Sequence, residues 1–184
     1  EQLWLGENPL ITVRLSRHPK LKKLFIWNTP IASLDLTNNR ELTQFVVNRN
    51  VNLTSLDFSN APWLEDIHIY NNGLNSLTFA NNSELKYLRL WDNPLTILDI
   101  STLTNLKELP LYGNPIVNLD LTQNINLEEL WYGDNALTNL DLRNGNNNKI
   151  TYISDVENSS PNLNCIKVDN ADYSYQNWAN VGSS

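Results

Sequence analysis

The sequence predicts an α/β-class solenoid, a right-handed coil of short stacked units with a parallel β-sheet along its concave side. Apolar residues return every 21 residues, with one interval of 22, over most of the chain. Each unit also holds an apolar-polar-apolar stretch with the two-residue alternation of a strand, and an asparagine follows this stretch in nearly every unit. Because such a unit is too short for a full helix, we expect a mostly extended or 3₁₀ convex side with few or no long helices.

One stretch shows the complete unit. The segment from Leu85 to Leu98 reads LKYLRLWDNPLTIL and fits the frame L-x-x-L-x-L-x-x-N-x-L, which is the pattern of a leucine-rich repeat. The first strand anchor recurs at Leu3, Leu24, Phe45, Ile67, Leu88, Leu109 and Leu130, and a second anchor recurs at Val13, Leu34, Leu56, Leu77, Leu98, Leu119 and Leu140. The interval of 22 places one extra residue near Val51 and Asn52, where we expect a local bulge.

The asparagine of the frame is predicted to point into the solenoid. Its short amide can bond backbone groups of neighbouring units at a turn that no regular strand pairing serves. The position is occupied by Asn8, Asn50, Asn72, Asn93, Asn114 and Asn135, with Thr29 as the exception. We therefore expect a ladder of amides that runs along the stack beside the leucine core.

We predict a repeat array over residues 1–148, with about seven rungs, and a C-terminal cap over residues 149–184. No single unit can bury its own leucines, so stacked units share one core whose ends need covers. The chain starts inside a rung, and we expect an N-terminal cap to be absent or removed. Beyond Leu142 the period decays, and the apolar residues that would cover the last rung are Ile150, Ile153, Val156, Leu163, Ile166, Val168 and Trp178.

Composition and charge exclude several function classes. The formal net charge of -7 and the pI near 4.7 argue against a nucleic-acid partner, which would require a basic face. No apolar run approaches the roughly 20 residues of a membrane-spanning helix, so no membrane insertion is expected. A single cysteine, Cys165, excludes an internal disulfide and cysteine-based zinc sites. No cofactor is predicted.

The candidate functional residues lie on the outward side of the first strands, between the buried anchors. Four of the six tryptophans of the chain fall there. Tyr70, Trp91 and Tyr112 share one column on consecutive rungs, so their rings would repeat about every 4.8 Å across the sheet. The predicted ligand-binding residues are Tyr70, Trp91, Tyr112, Arg89, Tyr87, His68, Asp66, Trp27, Trp131 and Glu108.

Two interpretations of these aromatic residues remain open. Neighbouring rings on parallel strands can simply pack on one another and stiffen the sheet. Exposed tryptophan and tyrosine can also supply rigid contact area for a partner, and the concave side of a solenoid, where extended partners are held, favours this second interpretation. The ligand would be a protein or peptide, with Asp66, Glu108 and Glu129 as a polar rim, or a polysaccharide whose sugars stack on the rings.

Pairs of titratable residues on the same strands raise the question of catalysis. Glu108 and Glu129 lie on adjacent rungs, and His68 lies near Asp66, so acid-base chemistry is conceivable. A repeat lattice, however, brings charges together by periodicity alone, and an open sheet offers no deep pocket that excludes water. We therefore expect no enzyme.

A row of aspartates follows the second anchor. A stacked row of carboxylates can hold calcium, or it can accept hydrogen bonds from nearby serine, threonine and turn amides. The structural interpretation is favoured, and no metal site is predicted. The row consists of Asp35, Asp57, Asp99, Asp120 and Asp141.

The L-T-x-L-D-L segments of the units, and the closing segments PNLNCIKVD (161–169) and YSYQNW (173–178), support a family resemblance. The chain resembles secreted leucine-rich-repeat proteins of Bacteroidetes-type bacteria and, more distantly, the internalins of Gram-positive bacteria. The resemblance implies export to the medium or cell surface, and a recognition or adhesion module or an accessory module of a larger secreted enzyme. We expect a monomer. In relatives the cysteine matching Cys165 often has a second cysteine after the tryptophan, which this chain lacks.

Overall fold

The computed structural model describes residues 1–155 and 159–178. In chain order the strands are β1 (Gln2–Gly6), β2 (Lys23–Trp27), β3 (Gln44–Asn48), β4 (Ser55–Asp57), β5 (Asp66–Tyr70), β6 (Ser76–Thr78), β7 (Tyr87–Trp91), β8 (Glu108–Pro110), β9 (Asn118–Asp120), β10 (Glu129–Trp131), β11 (Asn139–Asp141), β12 (Tyr152–Ser154) and β13 (Ile166–Lys167). The main sheet has eight parallel strands in the order β1-β2-β3-β5-β7-β8-β10-β12, and a second row is formed by the pair β4-β6 and the three strands β9-β11-β13.

The main sheet is built by the predicted period. Its register places each first anchor opposite the next, with Leu3 opposite Leu24 and Leu24 opposite Phe45. Within β5 the side chains of Ile67 and Ile69 are fully buried, and the residues that alternate with them are partly exposed. The anchors of all rungs join in one continuous hydrophobic core. The predicted leucine-rich-repeat solenoid with a parallel sheet is therefore confirmed.

The opposite side of each turn consists mostly of extended and turn backbone. The described residues include two 3₁₀ segments, Leu15–Arg17 and Asn147–Lys149, and one short helix, α1 (Ala171–Asn177). The side chain of Asn170 caps α1 by accepting a hydrogen bond from the Tyr173 N–H at 3.0 Å. The predicted scarcity of helices is confirmed.

The segment predicted as the C-terminal cap continues the solenoid before it ends. β12 pairs with β10 in the main sheet, and β13 pairs with β11 in the second row. This eighth strand of the main sheet was not predicted, and the division at residues 148 and 149 stays a prediction. Val156 lies outside the described residues. The other apolar residues predicted to cover the last rung belong to the core or pack against it, namely Ile150, Ile153, Leu163, Ile166, Val168 and Trp178.

The asparagine ladder has the predicted role from Asn50 to Asn135, whereas Asn8 bonds only within its own turn. Asn72 donates from Nδ2 to the carbonyls of Val47 at 3.3 Å and Tyr70 at 2.8 Å, and its Oδ1 accepts from the Asn50 N–H at 2.9 Å. Thr29, the exception in the sequence, donates from its N–H and its hydroxyl to Oδ1 of Asn50, at 3.1 and 2.7 Å. The ladder therefore satisfies buried backbone groups of successive turns and fixes the spacing of the rungs.

A second row of buried asparagines was not predicted from the sequence. Asn39, Asn82 and Asn124 occupy the turn that leads into the main sheet on alternate rungs. Asn82 donates to the carbonyls of Phe58 at 3.0 Å and Ala61 at 2.8 Å, and the other two make equivalent pairs of bonds to the preceding rung. In the sequence these segments read as polar turns, because a buried and an exposed asparagine look alike there.

Each of the first seven strands of the main sheet is followed by a residue with left-handed backbone, which is the third residue after β8 and β10 and the next residue after the other five strands. Its N–H reaches the next rung, as in the bond from Asn71 to the Trp91 carbonyl at 3.0 Å. Asparagine, aspartate and glycine tolerate this conformation better than other residues. The φ angles are 50° for Glu7, 50° for Asn28, 55° for Arg49, 53° for Asn71, 50° for Asp92, 71° for Gly113 and 50° for Asp134.

The five aspartates that follow the second anchor accept hydrogen bonds from the turn directly after them. Oδ1 of Asp99 accepts from the Ser101 N–H at 3.1 Å and from its hydroxyl at 2.7 Å, and these bonds lower the pKa of Asp99. The other four aspartates accept from the N–H two residues later in the same way. Within residues 1–155 and 159–178, no group of three or more His, Cys, Asp or Glu side chains is placed to hold a metal ion. The geometry supports the structural interpretation of this row.

Candidate recognition surface on the main sheet

The outward side chains of the main sheet form one surface, which we call the aromatic face. They alternate with the buried anchors, so the parallel register stacks them in columns along the solenoid. Three groups of side chains follow one another along this face. They are an N-terminal aromatic group (Trp4, Phe25 and Trp27), a central charged network (Gln44, Asp66, His68, Arg89 and Glu108) and a C-terminal hollow (Trp91, Pro110, Tyr112 and Trp131).

The central charged network joins four strands, β3, β5, β7 and β8. Oδ1 of Asp66 lies 2.7 Å from Nε2 of His68 and 3.1 Å from Nη1 of Arg89, and its Oδ2 accepts from Nε2 of Gln44 at 2.8 Å. Nη2 of Arg89 donates to Oε2 of Glu108 on the other side. The guanidinium therefore bridges two carboxylates that belong to the rungs before and after its own.

His68 is held by three groups. Its Nδ1 lies 2.8 Å from the hydroxyl of Tyr70, and its Nε2 lies 2.7 Å both from Oδ1 of Asp66 and from Nη1 of Arg89. One ring nitrogen cannot donate to the aspartate and accept from the arginine at once, so the tautomer decides which contact is a hydrogen bond. In either tautomer the ring orientation is determined by its neighbours.

The electrostatics of the network favour fixed charges. Burial raises the pKa of Asp66, but the hydrogen bond from His68, the charges of His68 and Arg89 and the hydrogen bond from Gln44 together hold it below its ordinary value. Burial raises the pKa of Tyr70, while the nearby guanidinium opposes this effect. The carboxylate of Asp66 is therefore ionised and the phenol of Tyr70 protonated at neutral pH.

Aromatic rings surround the network. The guanidinium carbon of Arg89 lies 5.2 Å from the centroid of the Tyr87 ring, within the range of a cation–π contact. The rings of Tyr70 and Trp91 pack with centroids 4.9 Å apart and planes tilted by 34°. Trp91 nevertheless keeps 41% of its surface exposed, and Tyr112 keeps 37%. Ring packing within the sheet and exposed ring surface therefore occur on the same face.

An apolar hollow of about 410 Å³ lies toward the C-terminal end of the aromatic face. Its floor is Pro110, which is buried and stands opposite Trp131 in the register. The proline occupies the same column as Arg89 and Trp131, and its short ring between two long side chains leaves the space open. The residues that line the hollow are Arg89, Trp91, Glu108, Pro110, Tyr112 and Trp131.

Two glutamates stand side by side next to the hollow. Glu108 and Glu129 are directly opposite in the pairing of β8 with β10. Burial raises the pKa of Glu129, and the negative charges of Glu108 and Glu128 raise it further, against a smaller opposite effect of Arg89. The hollow therefore combines aromatic walls with an excess of negative charge on one side.

The N-terminal aromatic group is stacked within itself. The rings of Trp4 and Phe25 lie parallel with centroids 3.9 Å apart, and Trp27 meets Trp4 edge-on at 6.2 Å. The indole of Trp27 also covers Gly6, where any side chain would collide with it. Trp4 remains 59% exposed. This end of the face therefore presents a broad apolar surface without a hollow.

Nine of the ten predicted residues lie at outward positions on strands of the main sheet, and Tyr112 lies two residues after β8 in the same outward column. Asp66, His68, Arg89 and Glu108 belong to the central charged network, which Tyr70 and Tyr87 contact. The hollow is surrounded by Trp91, Tyr112 and Trp131. Trp27 stands apart, in the N-terminal aromatic group. Their role in ligand binding stays a prediction.

Among the residues of the aromatic face that were not predicted as site residues, three contact predicted residues or line the hollow. Gln44 bonds Asp66, Pro110 forms the floor of the hollow, and Tyr152 packs on Trp131 with ring centroids 4.9 Å apart. A proline in a column of large side chains is a readable signal for a depression. The segment Tyr152–Ser154 was not predicted as a strand, because it follows β10 by 23 residues rather than 21.

Comparisons with known proteins support the fold. No family model and no curated protein matches the sequence. A leucine-rich-repeat protein of Leptospira interrogans is similar in structure, with 21% identity, coverage of 89% of this chain and 53% of the other, and a TM-score of 0.60. The leucine-rich-repeat domain of APL1B has 17% identity, coverage of 100% and 74%, and a TM-score of 0.54. A domain of the internalin InlJ from Listeria monocytogenes aligns with 19% identity, coverage of 91% and 43%, and a TM-score of 0.43.

The chain spans about half the length of the Leptospira protein. The family and the export that the closing segments imply stay predictions, and none of the described residues belongs to a helix long and apolar enough to cross a membrane. The similarities to the Leptospira protein and to APL1B show that this chain has the leucine-rich-repeat fold, which it shares with a bacterial protein.

Proposed function

We propose that the chain is a non-enzymatic recognition module, exported from the cell, that binds a protein or peptide partner on the aromatic face. The observation that carries this proposal is the hollow over Pro110, whose walls Trp91 and Tyr112 stay partly exposed on the concave sheet. A small pocket with aromatic walls suits an anchor side chain of a partner, and such anchors supply most of the binding energy of an interface.

The charged residues of the face fit recognition better than catalysis. Asp66, His68, Arg89 and Glu108 are bonded to one another, so none of them is a free acid or base. On a binding surface the same network holds its charged side chains in one arrangement before the partner binds, which favours selective contact with a complementary partner.

A polysaccharide is the second candidate ligand. The exposed ring surface of Trp91 and Tyr112 favours it, because sugar faces stack on aromatic rings. The contact between Tyr70 and Trp91 argues against it, since rings packed 4.9 Å apart do not offer separate flat faces to successive sugars. We therefore place the protein or peptide first.

The test is a screen of the purified chain against a random peptide library and a glycan array. For each ligand found, the affinity is measured again with Trp91→Ala and with Tyr70→Ala. Trp63→Ala is the matched control, because this tryptophan is 60% exposed but lies outside the aromatic face.

We expect peptide ligands whose affinity falls about tenfold or more with Trp91→Ala and stays unchanged with Trp63→Ala. Binding that survives both Trp91→Ala and Tyr70→Ala would refute the aromatic face as the site. If ligands are found only on the glycan array, and free oligosaccharide competes with them, the proposed ligand is a polysaccharide and not a peptide.

A further inference from the structure

The charges around the hollow over Pro110 are not balanced. The guanidinium of Arg89 is engaged on both sides, by Asp66 at 3.1 Å and by Glu108. The adjacent Glu128 is paired with Nζ of Lys107 at 2.7 Å. Among the described residues, the carboxylate of Glu129 forms no hydrogen bond and no ion pair. One negative charge next to the hollow is therefore left without a partner of its own.

The position of Glu129 brings this charge to the hollow. Glu129 stands opposite Glu108, a lining residue, in the pairing of β8 with β10, and it precedes Trp131 by two residues on the same face of β10. Burial raises the pKa of Glu129 most, and the charge of Glu108 raises it further; a cation that enters beside the two carboxylates would relieve the repulsion between them.

The walls of the hollow suit the same kind of ligand. The rings of Trp91, Tyr112 and Trp131 present electron-rich faces, which attract a cation when water is displaced. Tyr152 packs on Trp131 and supports its orientation from the next rung. The apolar floor of Pro110 suits the methylene stem of a long side chain, and about 410 Å³ is enough room for one such side chain.

We propose that the hollow over Pro110 is a receptor for one basic side chain, a lysine or arginine of the partner, with Glu129 as its counter-charge and Trp131 and Tyr112 as its aromatic walls. This inference rests on the proposed function and specifies the partner, which carries an accessible basic anchor residue. The net charge of -7 adds a long-range attraction to such a partner.

The test uses two short synthetic peptides of glycine that differ only in the central residue, which is lysine in one and uncharged norleucine in the other. Binding to the isotope-labelled chain is followed by the chemical shift of the Trp131 indole N–H. The measurement is repeated with Glu129→Gln and, as a matched control, with Glu41→Gln, which removes the same charge from an exposed turn outside the main sheet.

We expect the lysine peptide to shift the Trp131 signal and to bind about fivefold more tightly than the norleucine peptide. Glu129→Gln should remove most of this preference, and Glu41→Gln should preserve it. Because Glu129→Gln also relieves repulsion from Glu108, the variant should be folded at least as stably as the parent chain. Loss of binding therefore cannot be attributed to unfolding.

Equal binding of the two peptides, or a lysine preference that survives Glu129→Gln, would overturn the inference. No shift of Trp131 with the lysine peptide would overturn it as well. The proposed function is compatible with each of these results. Library ligands whose affinity falls with Trp91→Ala would still show a recognition surface, and the anchor side chain of the partner would then be uncharged. Library ligands whose affinity is unchanged by Trp91→Ala and Tyr70→Ala would instead refute the proposed function itself.

Discussion

Arg49 and Glu7 show how a single position in the repeat constrains the residue that fills it. Both follow a strand of the main sheet and have positive φ angles, 55° and 50°. A left-handed conformation costs a residue with an ordinary side chain about 1–2 kcal/mol, whereas asparagine and glycine visit it readily. The equivalent residues on the other rungs are asparagine, aspartate or glycine, so these two positions carry local strain.

Replacing the strained arginine should stabilise the chain. We expect Arg49→Asn to raise the free energy of unfolding by about 0.5–1 kcal/mol, because asparagine bonds its own backbone in the left-handed region. The measurement is the midpoint of urea unfolding, with Arg40→Asn in an exposed turn as the control for the lost charge. The same gain in both variants would mean that charge, and not backbone conformation, is responsible.

Asp66 should make stability depend on pH. Its pKa is lowered in the folded chain, so the carboxylate stabilises the fold above its unfolded pKa, and this contribution is lost as the pH falls through the folded pKa. We expect Asp66→Asn to lower the free energy of unfolding at about pH 7 and to have much less effect at about pH 2. Urea unfolding at the two pH values checks this, and an equal loss at both would contradict it.

At the level of elements, the strands are short, and the asparagine ladders bond backbone groups that strand pairing leaves without partners. β8 ends at Pro110, which has no N–H to donate, and its pairing with β7 is confined to Glu108 opposite Tyr87. Beyond the strand ends, buried amides such as that of Asn72 bond the carbonyls of two rungs. The turns are therefore held from inside the solenoid.

Removal of one buried amide should be costly. Asn72→Ala leaves the Asn50 N–H without its acceptor and takes one donor from each of the carbonyls of Val47 and Tyr70, so we expect a loss of about 2–4 kcal/mol in the free energy of unfolding. Asn8→Ala is the matched control, because Asn8 holds the same frame position but bonds only within its own turn. Urea unfolding should show the smaller loss for Asn8→Ala, and equal losses would mean that the bonds between rungs add nothing.

At the level of the whole molecule, each rung contacts only its neighbours, and the shared core gives the stack its stability. Leu88 lies on a central strand with rungs on both sides and is fully buried, whereas Leu3 on β1 is only partly buried. The same residue type at the same frame position therefore has a different environment in the middle and at the end of the described stack.

Truncation of these two leucines should measure the difference. We expect Leu88→Ala to cost about 3–5 kcal/mol of the free energy of unfolding, because it leaves a cavity between two rungs. Leu3→Ala should cost about 1–2 kcal/mol, since one side of its rung has no neighbouring strand in the described chain. Chemical denaturation followed by circular dichroism compares the two variants, and comparable losses would argue against nearest-neighbour packing as the source of stability.

Much of the fold could be predicted because it depends on a period. The recurrence of Leu24, Leu88 and their equivalents determined the strands, the register and the inward asparagines, and the alternation within each strand determined which side chains face outward. The eighth strand escaped prediction, because Ile153 follows Leu130 by 23 residues and the apolar pattern around it is irregular. The candidate site was predictable only as a face, from the aromatic residues that alternate with the anchors.

The sequence by itself therefore determined the solenoid and the residues of its aromatic face, because both follow from periodicity along one chain. Only the tertiary structure decided what those residues do to one another: that Arg89 is shared by Asp66 and Glu108, that Tyr70 and Trp91 pack together, and that Pro110 leaves a hollow. The physical reason is that these contacts join neighbouring rungs. Side-chain length and rotamer then settle whether adjacent groups pair, stack or leave a space.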